Sequence, residues 1–295
     1  MTEPTIPKVD YALICGSANW GLRFPEDINE PGVTVLARDL EFETPYGISG
    51  EWKLLEFDGA ITHDGLPRRA LCVWSHGWAL DEIDHASQRR AFWILREAGV
   101  RRVVASSTIG SLNRAILERD FVIVNDILEL TQTRYSLLPG RVRFDASGKQ
   151  LVCPSCAAVV EKVARQHWPA DARVYGTSAG LVGAHAWGPR LTSPAEVTAY
   201  RTMGGDIINH SLAPEATLSR EIGACFVNVA FVTAAYSSYF KPAGHNVLGE
   251  GVQVTLAPIA SRIALLAVAG FPAEMPECIC ASLRSEQDPS HYNNR

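Results

Sequence analysis

Short apolar runs that alternate with helix-like segments are the feature that most limits how this chain can fold. The runs have the composition of strands and lie at residues 11–15, 70–74, 102–105, 121–124, 174–177, 207–208 and 225–232. Helix-like segments lie at 84–97, 154–166, 214–223 and 257–269, with Pro154 suited to a first helical turn and Gly223 to a helix end. Strands alternating with helices are typical of layered α/β folds. We therefore predict an α/β fold with a central mixed sheet flanked by helices.

The 295 residues are expected to form a single domain, 1–295, because no repeat, low-complexity tract or clear boundary interrupts the chain. Residues 1–10 and 283–295 are expected to be flexible tails. The polar stretch 139–150, which contains two glycines, is expected to be a loop.

The charge balance and the N-terminus exclude several kinds of partner. A formal net charge of −5 and a pI near 5.9 provide no basic surface for nucleic acid or anionic lipid. The first residues have no apolar signal segment, and no run is expected to approach the roughly 20 apolar residues of a membrane helix. We therefore expect a cytoplasmic protein without nucleic acid or membrane partners.

The seven cysteines give little sign of a metal when the chain is considered in order. Cys153 and Cys156 have the spacing of half a zinc or redox motif, but no second pair of that kind and no His-x-x-x-His partner accompanies them. Cys225 lies in an apolar run, where a thiol behaves as a small hydrophobe. Cys278 and Cys280 could form a strained disulfide, although free thiols are expected in a reducing compartment. The prediction is no metal and no cofactor.

Small hydroxyl residues follow several of the predicted strands. Ser17 follows the first strand, the stretch 106–111 is rich in serine and threonine, and Ser211 lies between a strand and a helix. Ligands of α/β proteins bind beyond the carboxyl ends of strands, so these residues are site candidates, although each turn alone is compatible with an ordinary connection. Hydroxyls beside open backbone N–H groups suit an anion, phosphate above all, and His76 could add a donor. The chain has neither a P-loop nor a Gly-x-Gly-x-x-Gly fingerprint.

A series of short motifs in a fixed order extends this pattern along the chain. The series comprises Gly16-Ser17, 44–47 (Thr-Pro-Tyr-Gly), His76-Gly77, Gly110-Ser111-Leu112, Gly188-Pro189-Arg190, 201–206 (Arg-Thr-Met-Gly-Gly-Asp) and Asn209-His210-Ser211 before Pro214-Glu215. In order and spacing, over about residues 11 to 239, it resembles the methylthioadenosine phosphorylases, which belong to the trimeric branch of the purine nucleoside phosphorylases. No single motif is specific, and their order carries the resemblance.

The resemblance implies a single α/β domain with a partly closed mixed sheet, assembled as a homotrimer. It also implies cleavage of a nucleoside's N-ribosidic bond by phosphate as co-substrate, giving free base and ribose 1-phosphate. Residue by residue, the following roles are implied: Ser17, His76, Ser107 and Ser211 contact phosphate; Thr108 lines the junction of phosphate and sugar; His210 packs on the ribose; Leu191 stands where an aromatic stacks on the base. His210 and His76 are the expected catalytic residues.

Two departures from the family pattern affect the phosphate and sugar positions. Ser75 stands where the family has a phosphate-anchoring arginine, and a serine cannot supply a planar, two-pronged donor. Arg89, Arg90 and Arg114 are nearby in sequence and could reach in to replace it, although the position of each fits a surface or structural residue better. His210 stands where the family has a methionine, and a histidine there could hydrogen-bond sugar hydroxyls, contact an anion or act as an acid near neutral pH.

A third departure affects the base pocket, which the resemblance assigns to the stretch with Thr233, Ala234 and Tyr236. Ala234 and Tyr236 stand where the family has an acid or amide that protonates or hydrogen-bonds the departing base, and an alanine cannot donate a proton. An altered substrate is therefore expected. Three functions stay open: phosphorolysis of a purine-like or modified nucleoside, hydrolysis on the same scaffold, or a catalytically silent trimer that binds a nucleoside or anion.

Overall fold

The computed structural model describes residues 5–75, 86–131, 136–138, 142–188, 190–235 and 250–286. The strands are β1 (Tyr11–Cys15), β2 (Val33–Phe42), β3 (Ser49–Phe57), β4 (Arg68–Trp74), β5 (Arg102–Ser111), β6 (Phe121–Val122), β7 (Asp126–Glu129), β8 (Val142–Phe144), β9 (Val174–Tyr175), β10 (Val182–His185), β11 (Ile207–Asn209), β12 (Cys225–Ala235) and β13 (Arg284–Glu286). The helices are α1 (Ala86–Ala98), α2 (Pro154–His167), α3 (Pro194–Thr202), α4 (Leu212–Glu221) and α5 (Glu250–Gly270).

One large mixed sheet organises the fold and confirms the predicted α/β class. Within the described residues eleven strands belong to it, and its main path runs β2-β3-β4-β1-β5-β11-β10-β7. Strand β5 is a branch point, because β12 also pairs with it in parallel and continues the sheet through β6 to β9. Strands β8 and β13 form a separate two-stranded sheet.

The core lies around β12 and the helices that cover it. Every residue of β12 except the last is buried, as expected for a central strand with both faces covered. Helices α2, α4 and α5 pack against this strand, and α5 also packs against β5. Phe226 and Phe231 of β12 are fully buried in the main apolar cluster.

Helix α5 contains an apolar run as long as a membrane helix, so the prediction that no run approaches this length is wrong. Its segment Gly251–Gly270 spans 20 residues at a mean hydropathy of 1.7, so by length and composition it could cross a membrane. More than half of that segment, 56%, is buried inside the protein, and Ile263 and Leu265 are fully covered. A buried core helix passes the same test, and α5 has the contacts of one.

Several boundaries differ from the sequence-based expectation. β5 continues to Ser111, so the stretch 106–111 belongs to a strand and not to a turn after it. α5 begins at Glu250, seven residues before its expected start, and α4 begins at Leu212 rather than at Pro214.

The expected loop and tails also contain ordered structure. β8 lies within the expected loop 139–150, and its partner β13 lies within the expected tail 283–295. Val9, in the other expected tail, is buried and donates its backbone N–H to the carbonyl of Ala98 at 3.1 Å.

Candidate active site

A gap in the hydrogen-bond ladder along β5 defines the candidate site. β1 pairs with β5 as far as Ala105, and β11 pairs with the same edge, antiparallel, only from Gly110 onward. Because β1 runs with β5 and β11 runs against it, the carboxyl ends of β1 and β11 point toward each other across this gap. The backbone between these two points needs other hydrogen-bond partners, since buried N–H and C=O groups are costly when unpaired.

Side chains from the two strand ends fill the gap. The hydroxyl oxygen of Ser17, just after β1, accepts the backbone N–H of Thr108 at 2.8 Å and the Thr108 hydroxyl at 2.9 Å. The amide Nδ2 of Asn209, the last residue of β11, donates to the Thr108 carbonyl at 3.2 Å. Side-chain hydrogen bonds thus replace the missing backbone ladder along this part of β5, and they place polar groups in the gap between β1 and β11.

The turn after β1 requires a glycine. A Cβ added to Gly16 would lie 2.6 Å from the backbone carbonyl oxygen of Ser106, closer than a Cβ can approach. Gly16 also donates its N–H to Oδ1 of Asn19 at 3.2 Å, and the Ser106 hydroxyl donates to the same Asn19 oxygen. Asn19 is fully buried, so this network holds the Ser17 turn against β5.

Asn209 connects the remaining hydroxyls to this turn. Its Oδ1 accepts the backbone N–H groups of Ser211 at 2.7 Å and Leu212 at 2.8 Å, which are orphan donors at the start of α4. Its Nδ2 donates to the hydroxyl of Ser107 at 3.1 Å. One buried amide therefore brings Ser107, Thr108 and Ser211 together with the Ser17 turn, and we call Ser17, Ser107, Thr108 and Ser211 the hydroxyl cluster.

Ser107 is held with its oxygen acting as an acceptor. Its Oγ accepts from Nδ2 of Asn209 and from Nδ2 of Asn228 on β12 at 3.2 Å. These two donors occupy both lone pairs of the Ser107 oxygen, so any further hydrogen bond of this hydroxyl must be donated by its O–H. Its protein acceptor, Oδ1 of Asn228, is at a long 3.5 Å. The arrangement leaves a hydroxyl proton suited to an anionic oxygen.

The start of α4 adds a favourable field for an anion at the same place. Ser211 directly precedes this ten-residue helix, and the N-terminus of a helix carries partial positive charge. Glu215, in its first turn, is nearly fully buried, and this burial raises the pKa of its carboxyl to about 8, with a hydrogen bond to Ser211 partly opposing the rise. At neutral pH Glu215 is therefore largely protonated and does not cancel the positive field.

His210 lies next to the hydroxyl cluster with a defined ring orientation. Its Nδ1 is 2.9 Å from the carbonyl oxygen of Ala186, which can only accept, so Nδ1 carries the proton and Nε2 the lone pair. Burial lowers the pKa of His210 below its ordinary value of 6.5, and the nearby Arg190 charge lowers it further, against the effect of the Ala186 bond. A neutral imidazole with an acceptor nitrogen fits a sugar hydroxyl and disfavours the expected roles of acid or anion contact.

A cleft of about 380 Å³ opens beside Ala186. It is lined by Thr131, Ala186, Trp187, Arg190, Thr192, Glu196 and Tyr200. Arg190 and Glu196 form a two-pronged ion pair across it, which lowers the pKa of Glu196 to about 2. Leu191, the expected base-stacking position, lies between two of these lining residues and is 36% exposed.

The end of β12 carries an irregularity next to the site. The pairing of β12 with β5 shifts between Val232 and Ala234, so Thr233 forms a bulge opposite the C-terminal part of β5. Bulges re-aim side chains and are frequent beside active sites. Thr233 and Ala234 are both buried, at 6% and 5% exposure.

Some of the expected site residues cannot be placed. His76 and Tyr236 lie outside the described residues, as do residues 237–249. Of the arginines considered as substitutes for the missing anchor, Arg89 lies 5.9 Å from the ring centroid of Tyr46 and Arg90 lies beside Gly47. Arg89 and Arg90 therefore both lie beside the turn at 44–47. Arg114 is exposed.

Comparisons with known proteins place this chain in a family. A model of the phosphorylase superfamily matches residues 66–264. The chain is 33% identical to a probable 6-oxopurine nucleoside phosphorylase of Moorella thermoacetica over 213 residues, which cover 70% of this chain and 75% of that protein. It is 28% identical to an S-methyl-5'-thioadenosine phosphorylase of Thermofilum pendens over 285 residues, covering 95% and 98%. A probable S-methyl-5'-thioinosine phosphorylase of Methanothermobacter thermautotrophicus is 28% identical, over only 64% of its own length.

The chain belongs to the phosphorylase superfamily. The fold agrees: a methylthioadenosine phosphorylase from an Antarctic soil metagenomic library superposes with a TM-score of 0.75 at 24% identity, covering 94% of this chain and 91% of that one. A methylthioadenosine phosphorylase of Schistosoma mansoni in complex with adenine gives a TM-score of 0.66 at 20% identity, covering 89% and 91%.

Asn209 and Asn228 are candidate functional residues that were not predicted from the sequence. Asn209 stands out in the sequence only as part of a motif, and Asn228 lies within an apolar strand. An asparagine inside an otherwise apolar central strand is itself a signal, because a buried amide requires partners. For Asn209 the signal is its place between a strand and a helix start, where asparagine favours capping.

Proposed function

We propose that this protein is a nucleoside phosphorylase that transfers the pentosyl group of a purine or purine-like nucleoside to phosphate. The named relatives are phosphorylases of purine nucleosides and of their methylthio derivatives, which supports this reaction class. The observation that carries the proposal is the hydroxyl cluster at the gap in β5, where two strand ends and the start of α4 meet. No cofactor is needed for the reaction as proposed.

Phosphate would occupy the hydroxyl cluster. Ser107 supplies an O–H donor, the hydroxyls of Ser17, Thr108 and Ser211 line the same gap, and the N-terminus of α4 favours the negative charge. With serine at position 75 in place of an arginine, the site would use neutral donors, which bind phosphate more weakly than a guanidinium by about 1.5–3 kcal/mol. A high KM for phosphate follows from this geometry.

His210 would hold the sugar. Its Nε2 lone pair can accept a ribose hydroxyl, while the Ala186 bond fixes the ring plane. Orientation of the sugar over the phosphate lets a phosphate oxygen bond to C1′ as the C1′–N bond breaks and its electron pair leaves with the base. In this role His210 is a binding and orienting residue and transfers no proton.

The base would lie toward the end of β12 and the cleft near Leu191. Since Ala234 cannot donate a proton, the Thr233 hydroxyl on the bulge is the donor that this strand offers to the departing base. A hydroxyl donates a hydrogen bond but does not protonate, so bases that leave readily as anions or arrive already protonated should react best. His76 and Tyr236 are further candidates for phosphate and base contact.

We also propose that the chain assembles as a homotrimer. The support is its resemblance to the trimeric purine nucleoside phosphorylases. Sedimentation equilibrium of the full chain, with and without phosphate, measures the mass directly; a monomer at micromolar concentration would contradict the proposal.

A base-release assay tests the reaction. Methylthioadenosine, adenosine, inosine and guanosine are incubated with the protein at several phosphate concentrations, and free base and sugar products are quantified. We expect release that depends on phosphate and yields a sugar 1-phosphate. Release that is independent of phosphate would indicate hydrolysis, and ligand-induced thermal stabilisation without turnover of any nucleoside would indicate a binding protein.

Variants tie the activity to the site. Ser107→Ala should raise KM for phosphate by about one order of magnitude, because it removes a buried donor to an anion. Ser147→Ala, which removes an exposed hydroxyl outside the hydroxyl cluster, is the control and should leave KM unchanged. Equal KM values for the two variants would remove Ser107 from the phosphate site.

A further inference from the structure

Four cysteines that are remote in sequence converge on one point of the fold. Cys153, Cys225, Cys278 and Cys280 have sulfur atoms that all lie within 4.8 Å of one another. Cys153 directly precedes α2, Cys225 opens β12, and the other two lie in the segment after α5. Spacing along the chain did not reveal this set, because its members come from three separate elements.

Backbone contacts hold the four residues in place. The N–H of Cys153 donates to the carbonyl of Phe226 at 2.8 Å, which ties the start of α2 to the start of β12. The N–H of Cys278 donates to the carbonyl of Met275 at 2.9 Å, which closes a turn just before Cys280. The convergence thus rests on backbone geometry as well as on side-chain rotamers.

The sulfur–sulfur distances lie around the value for a single tetrahedral ion. Four sulfurs at about 2.3 Å from a zinc ion are separated from one another by about 3.8 Å. The Sγ atoms of Cys153 and Cys278 are 3.7 Å apart, and those of Cys225 and Cys278 are 3.2 Å apart. An iron–sulfur cube would need its four cysteines farther from one another, since each binds a different iron at a corner.

The environment also favours thiolates. Three of the four residues are buried, and Cys153 lies at the N-terminus of a 14-residue helix, whose partial positive charge stabilises a thiolate. Buried thiolates need a compensating positive charge, and a divalent ion bound by four of them supplies it.

We propose that Cys153, Cys225, Cys278 and Cys280 form a structural zinc site. Four protein sulfurs complete the coordination of zinc and leave no position for water, so the site is not catalytic. Cys225 and Thr233 are at opposite ends of β12, separated by eight residues or about 26 Å of strand, which places the ion far from the candidate active site. The ion would fasten the segment after α5 to the central sheet and to α2.

Metal analysis of the full-length protein, purified in reducing buffer and reconstituted with zinc, tests the proposal. We expect about one zinc ion per chain, with only sulfur neighbours in X-ray absorption spectra. Cys225→Ser and Cys278→Ser should each lower the zinc content at least tenfold and lower the Tm. Cys72→Ala is the matched control, because it removes a buried thiol outside the cluster and should retain the ion.

Three results would overturn the proposal. Thiol counting and peptide mapping of the denatured, unreduced protein could show that Cys153, Cys225, Cys278 and Cys280 are joined in two disulfides, which would leave no thiolates for an ion. Seven free thiols without zinc after reconstitution would show that the sulfurs bind no ion. Zinc that is retained equally in Cys225→Ser and Cys278→Ser would place the ion elsewhere. A Tm loss in a variant that still holds its zinc would show a packing effect, so zinc content decides the outcome, not stability.

Discussion

Glu215 should make the stability of this protein fall as the pH rises through neutrality. Its carboxyl is buried behind Ser211, and the folded-state pKa is raised from 4.5 to about 8. Below pH 4.5 the carboxyl is protonated in both the folded and the unfolded chain, so its burial costs little. Between pH 4.5 and 8 the unfolded chain releases the proton while the folded chain keeps it, and the free energy of unfolding decreases with each pH step.

The size of this effect follows from the shift. Each pKa unit corresponds to 1.36 kcal/mol, so the full loss across the window is about 5 kcal/mol, and about 3 kcal/mol of it falls between pH 5 and 7.5. Glu215→Gln keeps a neutral, hydrogen-bonding side chain of the same size and cannot ionise. Its stability should lack this part of the decline.

Urea unfolding followed by tryptophan fluorescence measures the effect. The free energy of unfolding is determined at pH 5 and pH 7.5, at one fixed protein concentration, for the wild type, Glu215→Gln and the exposed control Glu274→Gln. We expect Glu215→Gln to lose about 3 kcal/mol less than the other two between these pH values. Parallel behaviour of all three proteins would refute the reasoning and show that Glu215 ionises normally in the fold.

Three further substitutions test the geometry of the site. Gly16→Ala should reduce activity strongly and destabilise the protein by about 1–3 kcal/mol, since the new Cβ would lie 2.6 Å from the Ser106 carbonyl oxygen; activity and Tm at wild-type levels would show that the turn can move. Asn209→Ala leaves two N–H groups at the start of α4 and the Thr108 carbonyl without their partner, so we expect a loss of about 1–3 kcal/mol in urea unfolding together with a raised KM for phosphate, and a change in neither would contradict its organising role. His210→Met removes the sugar acceptor and should lower kcat/KM for the nucleoside by about 10-fold or more with the phosphate KM little changed; unchanged turnover would exclude the residue from the mechanism.

The fold could be predicted from the sequence where apolar runs were long and bounded by glycine or small polar residues. β1 was placed with its exact bounds, and α2 to within one residue. The hairpin of β2 and β3 was missed because its residues mix charged and apolar side chains, and β2 interrupts its pairing with register shifts. Its side chains are half exposed, so tertiary pairing rather than local hydrophobicity forms these strands.

The hydroxyl cluster was predicted as a set of residues but not as an arrangement. Sequence alone suggested that Ser17, Ser107 and Ser211 follow strand ends at one edge of the sheet. The structure instead places Ser107 inside β5, in the part of the strand that neither β1 nor β11 pairs with. This gap arises because β1 pairs with β5 only up to Ala105 and the antiparallel β11 pairs with it only from Gly110. Strand direction and register are properties of the assembled sheet, and no local pattern encodes them. The cysteine cluster was hidden for the same reason, since its four members meet only after three elements have packed.

The origin of the oxygen on C1′ of the released sugar tests the proposed reaction most directly. The protein is incubated with its best nucleoside and phosphate labelled with ¹⁸O, and the sugar product is analysed by mass spectrometry and ³¹P NMR. Phosphorolysis at the hydroxyl cluster predicts a sugar 1-phosphate that carries the label in the C1′–O–P bridge. Free sugar with an unlabelled C1′ oxygen from water, formed at the same rate without phosphate, would contradict it.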